Sequence, residues 1–299
     1  MNTQADESIS RASENLARVL TQLKSQIVGQ ENLRRRLIQA LLADGHILLE
    51  GVPGLAKTLA IKAVARSFGG DFRRIQFTPD ILPSDIIGTE VYRPAEGNFE
   101  VRPGPVFTNF LLADEINRAP AKSQSALLET MQERQVTIGD KTYKLPSPFF
   151  VLATQNPLEQ EGTYPLPEAQ VDRFIMKVLV KYPSAVEELE MLDLVTSDSY
   201  SPYPETPYLS MAELEEARKA CKAVFVNDKI REYIVNLVWA TREPERFGLK
   251  IGSLLELGAS PRATISLFLI ARTEALLEGR SYVVPQHIKN VAADVLRHR

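Results

Sequence analysis

Apolar residues recur at helical spacing from about Ile9 to Ser25, and a second run of the same period predicts a helix from Glu31 to Asp44, beyond the short turn Ile27-Val28-Gly29-Gln30. The pattern then changes. Ile47 to Glu50, Phe110 to Asp114 and Phe149 to Thr154 are short, unbroken apolar runs separated by helix-length segments, as expected of strands buried on both faces of a parallel sheet. Past Tyr182-Pro183 the strand signals stop and helix starts take over. Ser210 and Glu213 bracket a capping box, Ser260 precedes Pro261 as an N-cap would, and Pro285 can open a last helix. That helix meets no Gly or Pro before Arg299, as in a chain cut short. The pattern predicts an α/β domain over residues 1–183 and an all-helical domain over residues 184–299.

Two inserts alternate between apolar and polar residues instead. Gly88 to Val106 sets Val91-Tyr92 and Phe99-Glu100-Val101 on either side of the polar stretch Pro94 to Asn98, which predicts a hairpin interrupting a helix. The second insert, near 135–148, alternates Val136, Ile138, Tyr143 and Leu145 around Gly139-Asp140.

Candidate chemistry starts where the first strand ends. Gly51-Val52-Pro53-Gly54-Leu55-Ala56-Lys57-Thr58 follows it directly and runs through Leu59 into an apolar-periodic helix that reaches about Arg66. Backbone N–H groups at a helix start can surround phosphates, Lys57 adds a point charge, and the Thr58 hydroxyl can hold Mg²⁺. Ala56 stands where the general phosphate-loop motif has Gly. The apolar run ending at Ala113 delivers Asp114-Glu115 to the carboxyl end of its strand, where ligands bind in open α/β sheets. Asp114 suits Mg²⁺, and Glu115 suits a general base that orients and polarises the attacking water. Thr154-Gln155-Asn156-Pro157 brings polar amides to the same edge, with Asn156 as the residue that senses the γ-phosphate. Taken singly, these are also a Gly/Pro turn, an acidic first helical turn and a residue before proline. Taken in this order they point to nucleotide hydrolysis, and the lack of an Asn-Lys-x-Asp string after the loop favours ATP over GTP.

The phosphate loop, Asp114-Glu115 and Asn156, in that order, resemble the AAA+ ATPases. Gly51 to Thr58, Asp114 to Ala119 and Leu166 to Phe174 resemble its MoxR branch, in which Ala is common at the position of Ala56, and the likeness extends over essentially the whole chain. The resemblance implies an AAA+ P-loop domain with a parallel sheet plus a smaller helical lid, ATP and Mg²⁺ as cofactors, and a homo-oligomer, usually a hexameric ring, with nucleotide between neighbours. It implies Arg173 as an arginine supplied in trans and Arg262 as a second sensor projecting from a lid helix onto the phosphates. Arg262 opens its helix, where the macrodipole disfavours a structural cation, and this supports a functional use. Val28, Gly29 and Gln30 match the segment that packs near adenine. The resemblance further implies chaperone-like remodelling of a protein client, a partner carrying a von Willebrand factor A domain, and inserts that face the pore or the client. A DNA-associated motor and a nucleotide-gated scaffold with little turnover are the alternatives.

Bulk properties narrow the rest. Thirty-five basic against thirty-eight acidic residues give a net charge of −3, so no global basic field argues for nucleic acid as a partner. The polar amino terminus and the lack of a membrane-length apolar run predict a cytoplasmic protein without membrane insertion. Cys221 is the one cysteine and reads as a buried, inert thiol, while His46, His287 and His298 lack metal-ligand spacing. Arg34-Arg35-Arg36 reads as a solvated helix face, and Trp239, among Val235, Leu237 and Val238, as lid core.

Overall fold

The computed structural model describes residues 3–52, 54–55, 57–157, 162–196, 203 and 206–299. Two helices, α1 (Thr3–Gln26) and α2 (Glu31–Leu42), lead into β1 (Ile47–Glu50), α3 (Lys57–Ser67), β2 (Phe72–Gln76) and α4 (Pro83–Ile87). Then come β3 (Gly88–Arg93), β4 (Asn98–Pro103), β5 (Phe110–Asp114), α5 (Ala121–Glu133), β6 (Gln135–Ile138), β7 (Lys141–Lys144), β8 (Phe150–Gln155), α6 (Glu168–Val171) and β9 (Met176–Leu179). The remainder is helical: α7 (Ala185–Val195), α8 (Met211–Ala223), α9 (Asp228–Trp239), α10 (Pro261–Leu277) and α11 (Pro285–Leu296).

One parallel sheet in the order β2-β5-β8-β1-β9 organises the first part. Its three inner strands are the three apolar runs visible in the sequence, because only strands covered on both faces read as unbroken apolar runs. The two edge strands give no such run. In β2 only Ile75 is buried, and β9 alternates around Lys177.

Alternate residues of each inner strand feed different cores. Leu49, Leu112 and Leu152 join a cluster with α1, α2, α3 and the lid helices, including Leu267 and Ile270. Leu48, Leu111 and Val151 join a second cluster with Leu127 and Leu128 of α5 and Val136 of β6. The lid therefore shares its core with one face of the sheet, and α1 packs on both α8 and α10. Cys221 lies in that shared core, where burial pushes its thiol up to about 12.

Both inserts are antiparallel hairpins, β3 with β4 and β6 with β7. The first does not interrupt a helix: it follows α4, and Pro103-Gly104-Pro105 prevents a helix from resuming before β5. The last helix ends at Leu296, short of Arg299.

The arginine cluster on α2 is not a solvated face. Arg34 and Arg36 are buried. Arg36 donates to Asp294 at 2.7 Å and to Gln39 at 2.8 Å, while Arg35 donates to Glu274 at 2.9 Å, so the cluster ties α2 to α10 and α11 through paired charges. Trp239 is not lid core either. Its ring is partly exposed under the guanidinium groups of Arg242 and Arg246, and Val238 takes the buried position instead.

Candidate active site

All five sheet strands run parallel, so every carboxyl end lies along one edge and every amino end along the other. The phosphate loop leaves the carboxyl end of β1 and enters the eleven-residue α3 at Lys57. Pro53 and Ala56 lie outside the described residues; Gly51, Gly54, Leu55, Lys57, Thr58 and Leu59 lie within them. Gly51 is needed as glycine, because a Cβ there would sit 2.8 Å from the Val180 carbonyl oxygen. Gly54 has φ +85, with open space around the position of a Cβ. The Lys57 ammonium folds back to donate to the Gly51 carbonyl at 2.5 Å. Burial pulls its pKa below the usual lysine value, against the opposing charges of Asp114 and Glu115.

Asp114 ends β5 and Glu115 follows it in the left-handed region, at φ 57, which turns its side chain off the strand line. Thr154 of β8 stands between the two acids: its hydroxyl donates to Asp114 Oδ1 at 2.7 Å and accepts from the Glu115 backbone N–H at 2.8 Å. Arg74 of β2 reaches Asp114 Oδ2 at 2.6 Å, and Gln76 donates to Glu115 Oε2 at 2.8 Å, where Arg118 also arrives at 3.3 Å. Asn156 is buried one residue past β8, and Gln155, which precedes it, accepts from the Gly51 N–H at 3.3 Å. The loop, both acids and Asn156 thus meet at one edge. Val28, Gly29 and Gln30 come to the same edge, since Gln30 donates to the Lys181 carbonyl, just past β9, at 2.7 Å. Arg74, Gln76 and Thr154 were not singled out in the sequence. The only signal for the first two is that, two residues apart on one strand, they share a face.

This donor set fits a magnesium-bound nucleotide. A desolvated ammonium whose partner is a loop carbonyl can exchange it for a phosphate oxygen, and Thr58 and Asp114 offer the hard oxygens that Mg²⁺ prefers.

The arginines sit elsewhere. Arg173 precedes β9, whose Met176 pairs with Ile47 at the start of β1, so it lies at the amino edge. The β1 strand alone separates that edge from Gly51 by roughly 13 Å, at about 3.3 Å per residue. Arg262 is there as well, lining the same cavity as Arg173 and away from the chain's own phosphate loop. Ser260, the N-cap of α10, donates to Asp172 Oδ2 at 2.8 Å, and this fixes the helix start beside Arg173. Arg299 completes a clamp. Its side chain is 1% exposed, its Nε lies 3.1 Å from Asp172 Oδ1, and it donates to the Phe174 carbonyl at 2.5 Å. Arg173 and Arg262 line a cavity of about 290 Å³ together with Arg134 and Arg299. Asp172 and Ser260 were missed as a pair because the fold alone brings their distant segments together.

Comparison with known proteins settles the family. Residues 46–176 match the model of the ATPase family associated with various cellular activities, and residues 251–299 match that of the AAA lid domain. The chain is 50% identical to Chaperone MoxR1 of Mycobacterium tuberculosis over 98% of its own length and 77% of that protein's. It belongs to the MoxR-type AAA+ ATPases. Protein MoxR of Methylorubrum extorquens is 33% identical, over 95% of this chain and 86% of its own. The crystal structure of a proposed ATPase from Cytophaga hutchinsonii superposes with a TM-score of 0.92 at 49% identity, covering 99% of this chain and 90% of that one. The MoxR-type fold, a parallel-sheet P-loop domain with a helical lid, is the one read from the sequence. No helix among the described residues is long and apolar enough to cross a membrane.

Proposed function

We propose that this MoxR-type protein hydrolyses magnesium-bound ATP at a site shared by two copies of the chain, within a ring of the hexameric kind usual in the family. One copy brings the phosphate loop, Asp114, Glu115 and Asn156; its neighbour brings Arg173 and Arg262. The observation that carries this reading is the separation of the two sets on opposite edges of one sheet, across which a chain cannot reach its own phosphates.

At such a junction Lys57 exchanges the Gly51 carbonyl for phosphate oxygens. Thr58 and Asp114 would hold Mg²⁺, which would neutralise phosphate charge when bound. Arg74 yields or shares Asp114 Oδ2, while the Thr154 hydroxyl keeps Asp114 and the Glu115 backbone aligned. Glu115 turns from Gln76 and Arg118 toward water and accepts its proton. Arg173 meets the charge that develops on the transferred group, a contribution of about 10³ to 10⁵ in rate where such fingers act. Val28 to Gln30 stand at the adenine end of the site.

The reading extends to remodelling of a protein client, with a von Willebrand factor A domain protein as a partner of the family's kind. The β3–β4 hairpin supports it: Tyr92 and Phe99 are exposed and pack ring against ring at 5.2 Å near its tip. Deleting Pro94 to Asn98 is expected to impair client activity and spare basal hydrolysis.

The test of the shared site is the rate of Mg-ATP hydrolysis per subunit against protein concentration. A rate that rises steeply and saturates is expected. A rate that holds constant through dilutions at which the protein is monomeric would mean a self-contained site.

A further inference from the structure

Helix α7 buries none of its residues. Val186, Leu189, Leu192 and Val195 are between 62% and 66% exposed, at three-residue steps that wind around about half of the helix surface. The same eleven residues carry Glu187, Glu188, Glu190 and Asp193 and no basic residue. An isolated exposed leucine is ordinary, but a helix apolar on so much of its surface with none of its residues buried marks a contact surface. Its position is defined. Its N-cap, Ser184, follows closely on Lys181 at the carboxyl edge, and Glu187 lies so near Gly29 that a Cβ there would be 2.7 Å from the carboxylate. The helix therefore starts beside the phosphate-loop half of the site.

A second exposed apolar surface borders the other half. Leu254 is 78%, Leu257 60% and Ile265 59% exposed. The first two lie on the segment that leads to Ser260, and Ile265 is one helical turn past Arg262 on α10. Arg173 and Arg262 line a cavity together with Ile265 and bring positive charge to that end of the rim.

We propose that α7 of one copy docks onto the Leu254, Leu257 and Ile265 surface of a second copy. The proposal rests on the shared site above. Bringing Arg173 and Arg262 of one chain to the phosphate loop of another carries these two surfaces to the same junction. An acidic, apolar helix then meets an arginine-flanked apolar rim. The contact is heterologous, with two different patches, so it repeats head to tail and can close a ring.

The test uses two full-length variants, Leu189→Glu with Leu192→Glu and Leu257→Glu with Ile265→Glu, studied by sedimentation velocity with a non-hydrolysable ATP analogue and Mg²⁺. All four positions are exposed, so melting temperatures are expected to match the unaltered chain; if they fall, the same pairs as glutamine carry the mass measurement. Each variant alone is expected to associate at least ~100-fold more weakly, since several desolvated apolar contacts are lost. An equimolar mixture is expected to form dimers and nothing larger, because only one intact junction can be made. Variants that assemble like the unaltered protein, a mixture that fails to pair, or an unaltered protein that stays monomeric would overturn the proposal. Hydrolysis in the mixed dimer reads the shared site separately: dimers that form but do not regain activity would leave the docking surface standing and remove the arginines from catalysis.

Discussion

The two edges of the sheet are built on opposite principles. At the carboxyl edge, polar groups that fit a nucleotide are engaged in contacts a ligand can displace: Lys57 on a carbonyl, Asp114 on Arg74, Glu115 on Gln76. At the amino edge the framework is half-buried, with Asp172 held by Ser260 and beside Arg299, and Arg173 and Arg262 line a cavity there. One edge is arranged to rearrange around a ligand. The other holds the chain on either side of two arginines, which suits the role in trans proposed for them.

Substitutions separate the two. Arg173→Ala is expected to lower hydrolysis about 10³-fold or more and to leave binding of a fluorescent nucleotide unchanged, because it removes only the neighbour's contribution. Weakened binding equal to the rate loss would place Arg173 in ground-state recognition. Glu115→Gln is expected to cost about 10² to 10⁴ in rate while still trapping ATP, whereas near-normal turnover would remove its role as base.

Asp172→Asn probes the clamp. It keeps the shape and weakens the hold on Arg299 and Ser260, so kcat is expected to fall on the order of 10- to 100-fold through misplacement of the arginines, with KM unchanged. A variant with normal kcat would show that Arg173 and Arg262 need no such support.

Acid acts on the amino edge through His46. Its Nδ1 accepts from the Val151 N–H at 3.0 Å and its Nε2 lies 3.0 Å from the Met131 carbonyl, so the ring is neutral with the proton on Nε2. Burial, aided by Arg134, lowers its pKa to about 3. The unfolded chain takes up this proton below about 6.5 and the folded chain does not, so stability is complete above that pH and falls by about 1.4 kcal/mol per unit toward pH 3. His298, also lowered to about 3, acts in the same direction. His46→Gln is expected to reduce the loss of melting temperature between pH 6 and 4, and an unchanged slope would assign the acid sensitivity elsewhere.

The carboxyl edge was largely legible in the sequence because its residues are contiguous with apolar strands: a run that ends in Asp114-Glu115, or turns into Gly51 to Thr58, announces its own position. The edge strand β2 was not, since a strand with one buried residue leaves no pattern, and Arg74 and Gln76 were missed with it. Arg35 and Arg36 looked solvated because their partners Glu274 and Asp294 lie far along the chain, while Arg34 turns back to the Ile27 carbonyl. That Arg262 comes to the amino edge was not legible for the same reason. Its motif was plain, but which end of the sheet its helix reaches depends on the contact between Ser260 and Asp172.

The central claim, that the two edges complete one site only across two chains, is tested most directly by mixing Lys57→Ala with Arg173→Ala, each inactive alone. The account predicts recovery, because a Lys57→Ala chain can lend its arginine to the intact phosphate loop of its neighbour. Random assembly at equal amounts gives about one quarter of the unaltered rate per subunit, since one junction in four is complete. No recovery at any ratio, in mixtures whose mass matches the assembled protein, would contradict it.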